Sequence, residues 1–481
     1  MNKKFVLLLL CTFFVVTSAF SYKAFSKETE LSLELFLKQV KNNNKNLRGS
    51  HLISTGVAQR VNDGELLLAP TFFSTYNYLS DKKETAAPSF QGTSTRADMY
   101  SIGIQKLTNF GLSAKLSYSM MHTNIKDAAL ITIPNYYTAY PQLDINFSFL
   151  RNGFGSEVKA QQIALEAANK ATSYSEAFKE KISLVEAEKA YWRLALARKA
   201  LLVRKEVRDR AQKILSWATR RVKTQLGDRS DMLQAQAGLE LRKLELIEAQ
   251  NEVRTAALAF NSARNIESDI VPESLTAIAP ELLTDLSPID KNDTRLDIKA
   301  AEQIQLIALA NAQLAKEKAK PSLDVFASAA LNGRDANKNT ARSESLTSKY
   351  PTNSIGVTFS TPLYFGLSSN IFSGTEKEKQ GAILNYEHKL FEQEQEWNDL
   401  NSRLKEAQSR LKLTKTIESI QKEKHENEQA RLLRGRTTTY QALLFEQDYA
   451  QAQLIHIRTQ AEILGLYTQL KIFQNTGSGL L

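Results

Sequence analysis

Cysteine is almost missing from this sequence: Cys11 is the only one in 481 residues. It lies in the apolar run Phe5 to Val16, behind Lys3 and Lys4 and ahead of the small residues Ala19 and Ser21. Those three parts make a secretory leader on residues 1–21, cut after Ser21, with Ser26 as the alternative. Leu8, Leu9 and Leu10 precede Cys11 where a lipid-attachment signal needs small residues, so Cys11 reads as a leader-core residue. A mature chain without cysteine has no disulfide, no thiolate nucleophile and no cysteine metal ligand.

Long apolar runs are missing too. No segment after the leader approaches the ~20 uninterrupted apolar residues of a membrane-spanning helix. If the chain crosses a bilayer, it does so with strands closed into a barrel. Proline is scarce, with 10 residues, and no Gly/Ser linker divides the chain, which argues for one elongated unit over a string of domains. The five histidines, His51, His122, His388, His425 and His456, stand apart without ligand spacing, so no metal motif is present. Gly153-Phe154-Gly155 lacks the third glycine and the βαβ setting of a phosphate loop and reads as a helix-start turn. The net charge of +10 is spread over segments that also hold many Asp and Glu, as on solvated helix faces, and excludes a nucleic-acid partner.

What is present is a plan used twice. Residues 22–268 form a first repeat: a helix at Leu31 to Val61, β-strands within 66–150, and a long helical hairpin over 154–265. A linker at 269–290 contains prolines, and residues 291–476 repeat the order with a helix from Arg295 to Lys318, strands within 322–363 and a hairpin over 373–473. In the strands the period is two. Leu112, Ala114, Leu116, Tyr118 and Met120 share one face, against Ser113, Lys115, Ser117 and Ser119 on the other. Such strands suit a barrel with lipid outside and water inside, and equally an antiparallel sheet with one solvated face. Four strands are expected in the first half and two in the second.

In the hairpins the period is that of packed helices: Leu184, Ala187, Tyr191 and Leu194, then Trp397, Leu400, Leu404, Ala407 and Leu411. A first arm of ~70 residues reaches about 105 Å. The return arm is about half as long, and the short N-terminal helix stacked on its end would make up the difference. The hairpin tips read Leu226-Gly227-Asp228-Arg229-Ser230-Asp231 and Arg434-Gly435-Arg436-Thr437-Thr438-Thr439. Asp228 and Asp231 offer too few oxygens for a calcium loop. Asp231, with Ser230, is expected to cap the first return helix, and the threonines the second.

With both tips placed, the chain resembles the TolC-like outer-membrane efflux proteins (outer membrane factors) along nearly its whole mature length. The resemblance is carried by Gly227 to Gln236 at the first tip, Thr294 to Ala301 opening the second repeat, Pro321-Ser322-Leu323 entering a strand, Gly356 to Tyr364 leaving the sheet, and Gly435 to Thr439 at the second tip. It implies a mainly α fold with a β-barrel portion: long periplasmic hairpins forming an α-barrel in a homotrimer, plus transmembrane antiparallel strands, internally duplicated. It also implies a passive channel-tunnel in the outer membrane of a Gram-negative bacterium, in contact with lipid and working with a periplasmic adaptor (membrane fusion) protein and an inner-membrane pump or ABC transporter. Such a channel is no enzyme and needs no cofactor. By position, Gly227, Arg229, Ser230, Asp231, Gly435, Arg436, Thr437 and Thr438 inherit the docking and gating role. Where some members ring the entrance with acidic residues, this chain has Gln441 and Leu444, and the first exit strand, Asn146 to Gly153, lacks the proline that Pro362 supplies in the second. The hairpin around Gly111 either widens the barrel beyond four strands per subunit or lies outside it. The alternative to the channel is a periplasmic coiled-coil adaptor or scaffold, against which the strands and the duplication both count.

Overall fold

The computed structural model describes residues 30–474 apart from 277–282, 284–288, 290, 292 and 293. The expected leader and part of the linker lie outside the described residues.

Two short elements open the chain, β1 (Glu30–Leu31) and α1 (Leu33–Asn43), followed by α2 (Lys45–Gln59). The single helix expected over Leu31 to Val61 is thus two. Asn44 divides them: its extended backbone ends α1, its Oδ1 accepts from Leu47 N at 3.0 Å, and its Nδ2 donates to Ala263 O. The asparagine side chain thus caps the start of α2 with its oxygen and ties the break to the distant Ala263 carbonyl with its amide.

Strands β2 (Thr71–Asp81), β3 (Ser94–Leu107), β4 (Leu112–Lys126) and β5 (Asn135–Ser148) follow, beginning later than the expected Leu66 because Asp63–Leu68 forms a 3-10 turn. Helices α3 (Ser156–Lys223) and α4 (Arg229–Ala263) make the first hairpin, and β6 (Ser274–Leu275) pairs in parallel with β1. The second half gives α5 (Leu296–Ala319), β7 (Ser322–Leu331), β8 (Gly333–Asp335), α6 (Lys338–Glu344), β9 (Pro351–Ser360), α7 (Phe365–Leu433) and α8 (Thr439–Leu470). Helix α7 starts well before the expected boundary at 373. The Gly/Ser-rich stretch at its start has weak propensity of its own, and extending an existing helix costs far less than nucleating a new one. Among the described residues no helix is long and apolar enough to cross a membrane.

These elements fall into two compact units. One takes the described residues up to Ser50, those from Lys179 to Asp293 and those from Gln395 onward; the other takes His51–Phe178 and Thr294–Glu394. Each unit therefore draws on both repeats.

In the first unit the core is apolar and aromatic. Phe36 stacks on Phe260 at 4.2 Å between ring centroids and tilts against Tyr191 at 5.5 Å. All three are fully buried among Leu194, Val207, Ile463 and Leu464. Tyr191 keeps its hydroxyl satisfied by donating to Leu31 O at 2.8 Å, which ties β1 to the long helix.

The second unit carries a seven-stranded sheet, antiparallel throughout, in the order β2-β3-β4-β5-β7-β9, with β8 also on β5. The hairpin around Gly111 is part of this sheet: Thr108 N donates to Leu112 O at 2.8 Å and Gly111 takes φ +86°. Gly155, at the start of α3, packs so closely on that turn that a Cβ would lie 1.9 Å from Asn109 O. Beside it, Asn152 Oδ1 accepts from Glu157 N and Val158 N, both at 3.1 Å, and starts the helix.

Candidate functional site at the hairpin tips and on the sheet

Both tips close with one motif. In the first, Gln225 N donates to Val222 O and Leu226 N to Arg221 O; in the second, Gly435 N donates to Leu432 O and Arg436 N to Arg431 O. This is the Schellman ending, with its left-handed residue at Gln225 (φ +58°) and at Gly435 (φ +70°). The counterpart of Gly435 is therefore Gln225. Gly227, singled out from sequence, has no positive φ; a Cβ there would sit 2.9 Å from Arg221 Cβ, so it is close packing that favours glycine. The motif also pairs Arg221 with Arg431. Arg221 folds over Trp217 and donates to Leu226 O at 2.6 Å, while Arg431 pairs with Glu428 at 3.1 Å.

The caps differ from the sequence expectation in the first tip. Asp228, extended at φ −85° and ψ 145°, is the N-cap of α4, and Asp231 lies within its first turn. There the Asp231 carboxylate favours the helix dipole without capping. In the second tip Thr438 caps, its Oγ accepting from Gln441 N at 3.2 Å, while the Thr437 hydroxyl donates to Glu428. Thr439 is buried and has no hydrogen-bond partner for its hydroxyl among the described residues.

Of the eight predicted tip residues, Arg229, Ser230, Gly435, Arg436 and Thr438 are exposed and Gly227, Asp231 and Thr437 half-buried. The two tips are held together by Ile214, Ala218, Ala235, Leu432 and Ala442, one small core fed by all four hairpin helices. Sequence reasoning missed the exposed Leu226, Leu433 and Tyr440 at this end. Their signal was there, as large apolar residues in otherwise polar turns. With Arg220, Arg229, Arg434 and Arg436 they form a basic surface studded with apolar side chains.

Beyond this core lies a layer of buried charge. Glu446, fully buried on α8, meets Arg210 of α3 at 3.4 Å and Arg242 of α4 at 3.7 Å. Arg242 also reaches Glu245 at 2.9 Å, and Arg204 reaches Glu245 at 2.6 Å. Burial pushes the Glu446 carboxyl pKa up, against the pull of the two arginines. His425 of α7, stacked on Tyr449, is buried with Nε2 unpartnered among the described residues. Burial first and Arg210 second push its pKa down, with Glu426 opposing.

A native state that refuses a proton the unfolded chain accepts loses stability as pH falls through the ordinary imidazole value of 6.5. His425→Gln should therefore flatten the fall in thermal stability between pH 7.5 and pH 5.5 relative to wild type. Parallel pH profiles for the two proteins would remove His425 from the account.

The sheet has two unlike faces. Phe72, Tyr76 and Tyr78 of β2, Tyr100, Ile102 and Ile104 of β3, Leu116 of β4, Leu143 of β5, and Ile355, Val357 and Phe359 of β9 share one face by register, and all are exposed. The other face carries Ser101, Gly103, Lys115, Ser117, Ser119, Asp144, Ser328 and Ser354. On it Ser119 donates to Ser101 at 2.9 Å and Gln142 to Ser328 at 3.1 Å. A contiguous apolar face of this extent marks a surface that meets lipid or another protein. Among the described residues no group of three His, Cys, Asp or Glu is placed to hold a metal ion.

No protein-family model and no curated protein sequence matches this chain. Solved structures do. The outer-membrane channel OprN matches with a TM-score of 0.65 at 16% identity, covering 93% of this chain and 90% of its own. The CmeC outer-membrane channel of Campylobacter jejuni matches at 0.63 and 15%, covering 93% and 87%, and the outer-membrane protein VceC of Vibrio cholerae at 0.63 and 14%, covering 91% and 95%. Likeness of this length fixes the architecture, and the chain has the fold of the TolC-like outer-membrane channel proteins.

Proposed function

We propose that this protein is the outer-membrane member of an export assembly, a trimer that gives a passive exit duct to substrates delivered by an inner-membrane pump through a periplasmic adaptor. The observation that carries this reading is the two-faced sheet. An exposed band of Ile, Leu, Phe and Tyr on one side, backed by Ser, Gly, Asp and Lys on the other, is what a strand needs with lipid outside and water inside. The channel fold supports it. The basic, apolar-studded tips then dock the adaptor, and the duct itself performs no chemistry. Energy comes from the partner.

Cell fractionation followed by unheated and heated gel electrophoresis of the purified protein, with cross-linking to count subunits, tests the proposal. A trimer extracted from the outer membrane supports it. A soluble periplasmic monomer or dimer overturns it and favours the scaffold.

The tips give a second test. A Cβ at Gly435 would meet only the end of the Arg221 side chain, at an ordinary 3.9 Å, but the backbone there is left-handed, whereas Gly227 has an ordinary backbone but no space. Gly435→Val should cost roughly 1–3 kcal/mol of local strain and distort the tip, while Gly435→Asn should be tolerated, since asparagine accepts that conformation. In living cells the valine variant should still assemble but recover far less cross-linked periplasmic adaptor than the asparagine variant. Equal recovery would remove the tips from docking.

A further inference from the structure

The sheet carries information about its own closure. Strands β2 and β9 are its edges, and among the described residues neither has a strand partner on its outer side. Strand β8 does not alter the count around the sheet, because it continues the line of β7: Gln142 pairs with Ala330 and Ala139 with Gly333, in one unbroken register. Six strand positions alternate in direction, so β2 and β9 run opposite ways, and β9 of one copy meets β2 of the next in an antiparallel pair. An odd number would have forced a parallel seam. The two edges are also matched in length, Thr71–Asp81 against Pro351–Ser360. An edge left open in hydrocarbon would strand its backbone donors and acceptors, so closure is required there.

The apolar band gives the tilt. It is centred near Thr75 on β2, near Ile102 on β3, near Leu116 on β4 and at Val357 on β9. The row of paired residues that starts at Thr75 runs through Ser101, Ser119 and Tyr140, then Asn332, and reaches β9's line at Tyr350, whose carbonyl accepts from Asn332 N. That is seven residues short of Val357. Seven residues at about 3.3 Å, over five strand steps of about 4.8 Å, place the band at about 45° to the strands. A band lying level in a bilayer therefore requires strands tilted by about 45°, the tilt of membrane barrels.

We infer that this sheet is one sector of a barrel closed by copies of the same chain through a β9–β2 seam, with six strands per copy. The inference rests on the trimeric channel proposed above, for which three copies of six make eighteen strands, a ring roughly 40 Å across and wide enough for an open aqueous lumen. One more strand step at the measured slope sets the seam's register, with Thr75 opposite Thr358 of the next copy. That register also leaves nearly the full length of both edges paired. The hairpin around Gly111 is wall, and a barrel of four strands per subunit is excluded because β3 covers the edge of β4 along Ser94 to Leu107.

The chain is suited to the test because its one cysteine lies in the leader. Cysteine pairs at Thr75 or Asn77 with Ser354 or Thr358 put thiols on the lumen face in four registers, and Ser119 with Ser354 or Thr358 probes the narrower barrel. All are made in the full-length protein in outer membranes and read on non-reducing gels. The expected result is a reductant-sensitive covalent trimer from Thr75 with Thr358, with at most one neighbouring register beside it. Trimers from the Ser119 pairs alone would overturn the six-strand seam and leave the channel standing. Membrane-extracted trimers with no covalent product from any pair would also sink the seam, whereas a soluble monomer would sink the channel with it.

Discussion

Ile102→Arg should cost the folded protein about 2–4 kcal/mol in a bilayer, the cost of an arginine at the midplane on a lipid-facing strand position. Ile102 lies at the centre of the apolar band on β3 and exposes half of its side-chain surface. Two to four kcal/mol is a factor of roughly thirty to a thousand in the folding equilibrium, and the yield of trimer in the outer membrane should fall accordingly. The control is Asn146→Arg, exposed on the opposite face of β5. On a watery lumen it should change folding little, just as the chain already places Lys115 on that face next to Leu116. Denaturant unfolding in lipid vesicles measures both. Equal losses for the two variants, or none for either, would mean that the faces do not separate lipid from water.

The second large effect is expected at Glu446. Its carboxylate is fully buried and is the shared partner of Arg210 and Arg242, which are themselves largely buried. Glu446→Leu leaves two arginines facing each other without it, and breaking a buried ion pair from one side costs about 3–5 kcal/mol. The loss should be largest near pH 8 and shrink as pH falls through the raised range of the carboxyl, where protonation already removes the charge that the mutation removes. Changing Arg210 and Arg242 to methionine together with Glu446→Leu should recover most of the loss, because the uncompensated arginines are gone and Glu245 keeps Arg204 as its partner at 2.6 Å. Thermal unfolding of wild type, Glu446→Leu and the triple variant decides it; a triple variant no better than Glu446→Leu would show that shape, and not charge, holds this layer.

Legibility in the sequence tracked the range of the forces involved. Period-two and period-three-and-four patterns are written residue by residue, so strand and helix segments could be told apart and the repeated order was visible without coordinates. Local capping was harder. Asp231 and Asp228 are equally good caps by residue type, and only the path of the chain decides which of them is extended. The left-handed position at the first tip was invisible, since a glutamine occupies it while a glycine two residues on draws attention for a different reason, its contact with Arg221.

By itself the sequence determined what each segment could be: its period, its two-faced strands, its single cysteine and its repeat. It did so because side-chain pattern and backbone propensity act over a few residues. Tertiary structure alone decided how those segments combine. Both compact units draw on both repeats, the hairpin at Gly111 joins the sheet, and Glu446 meets arginines more than two hundred residues away. Pairing and burial between distant segments depend on which surfaces meet, and no local pattern carries that choice.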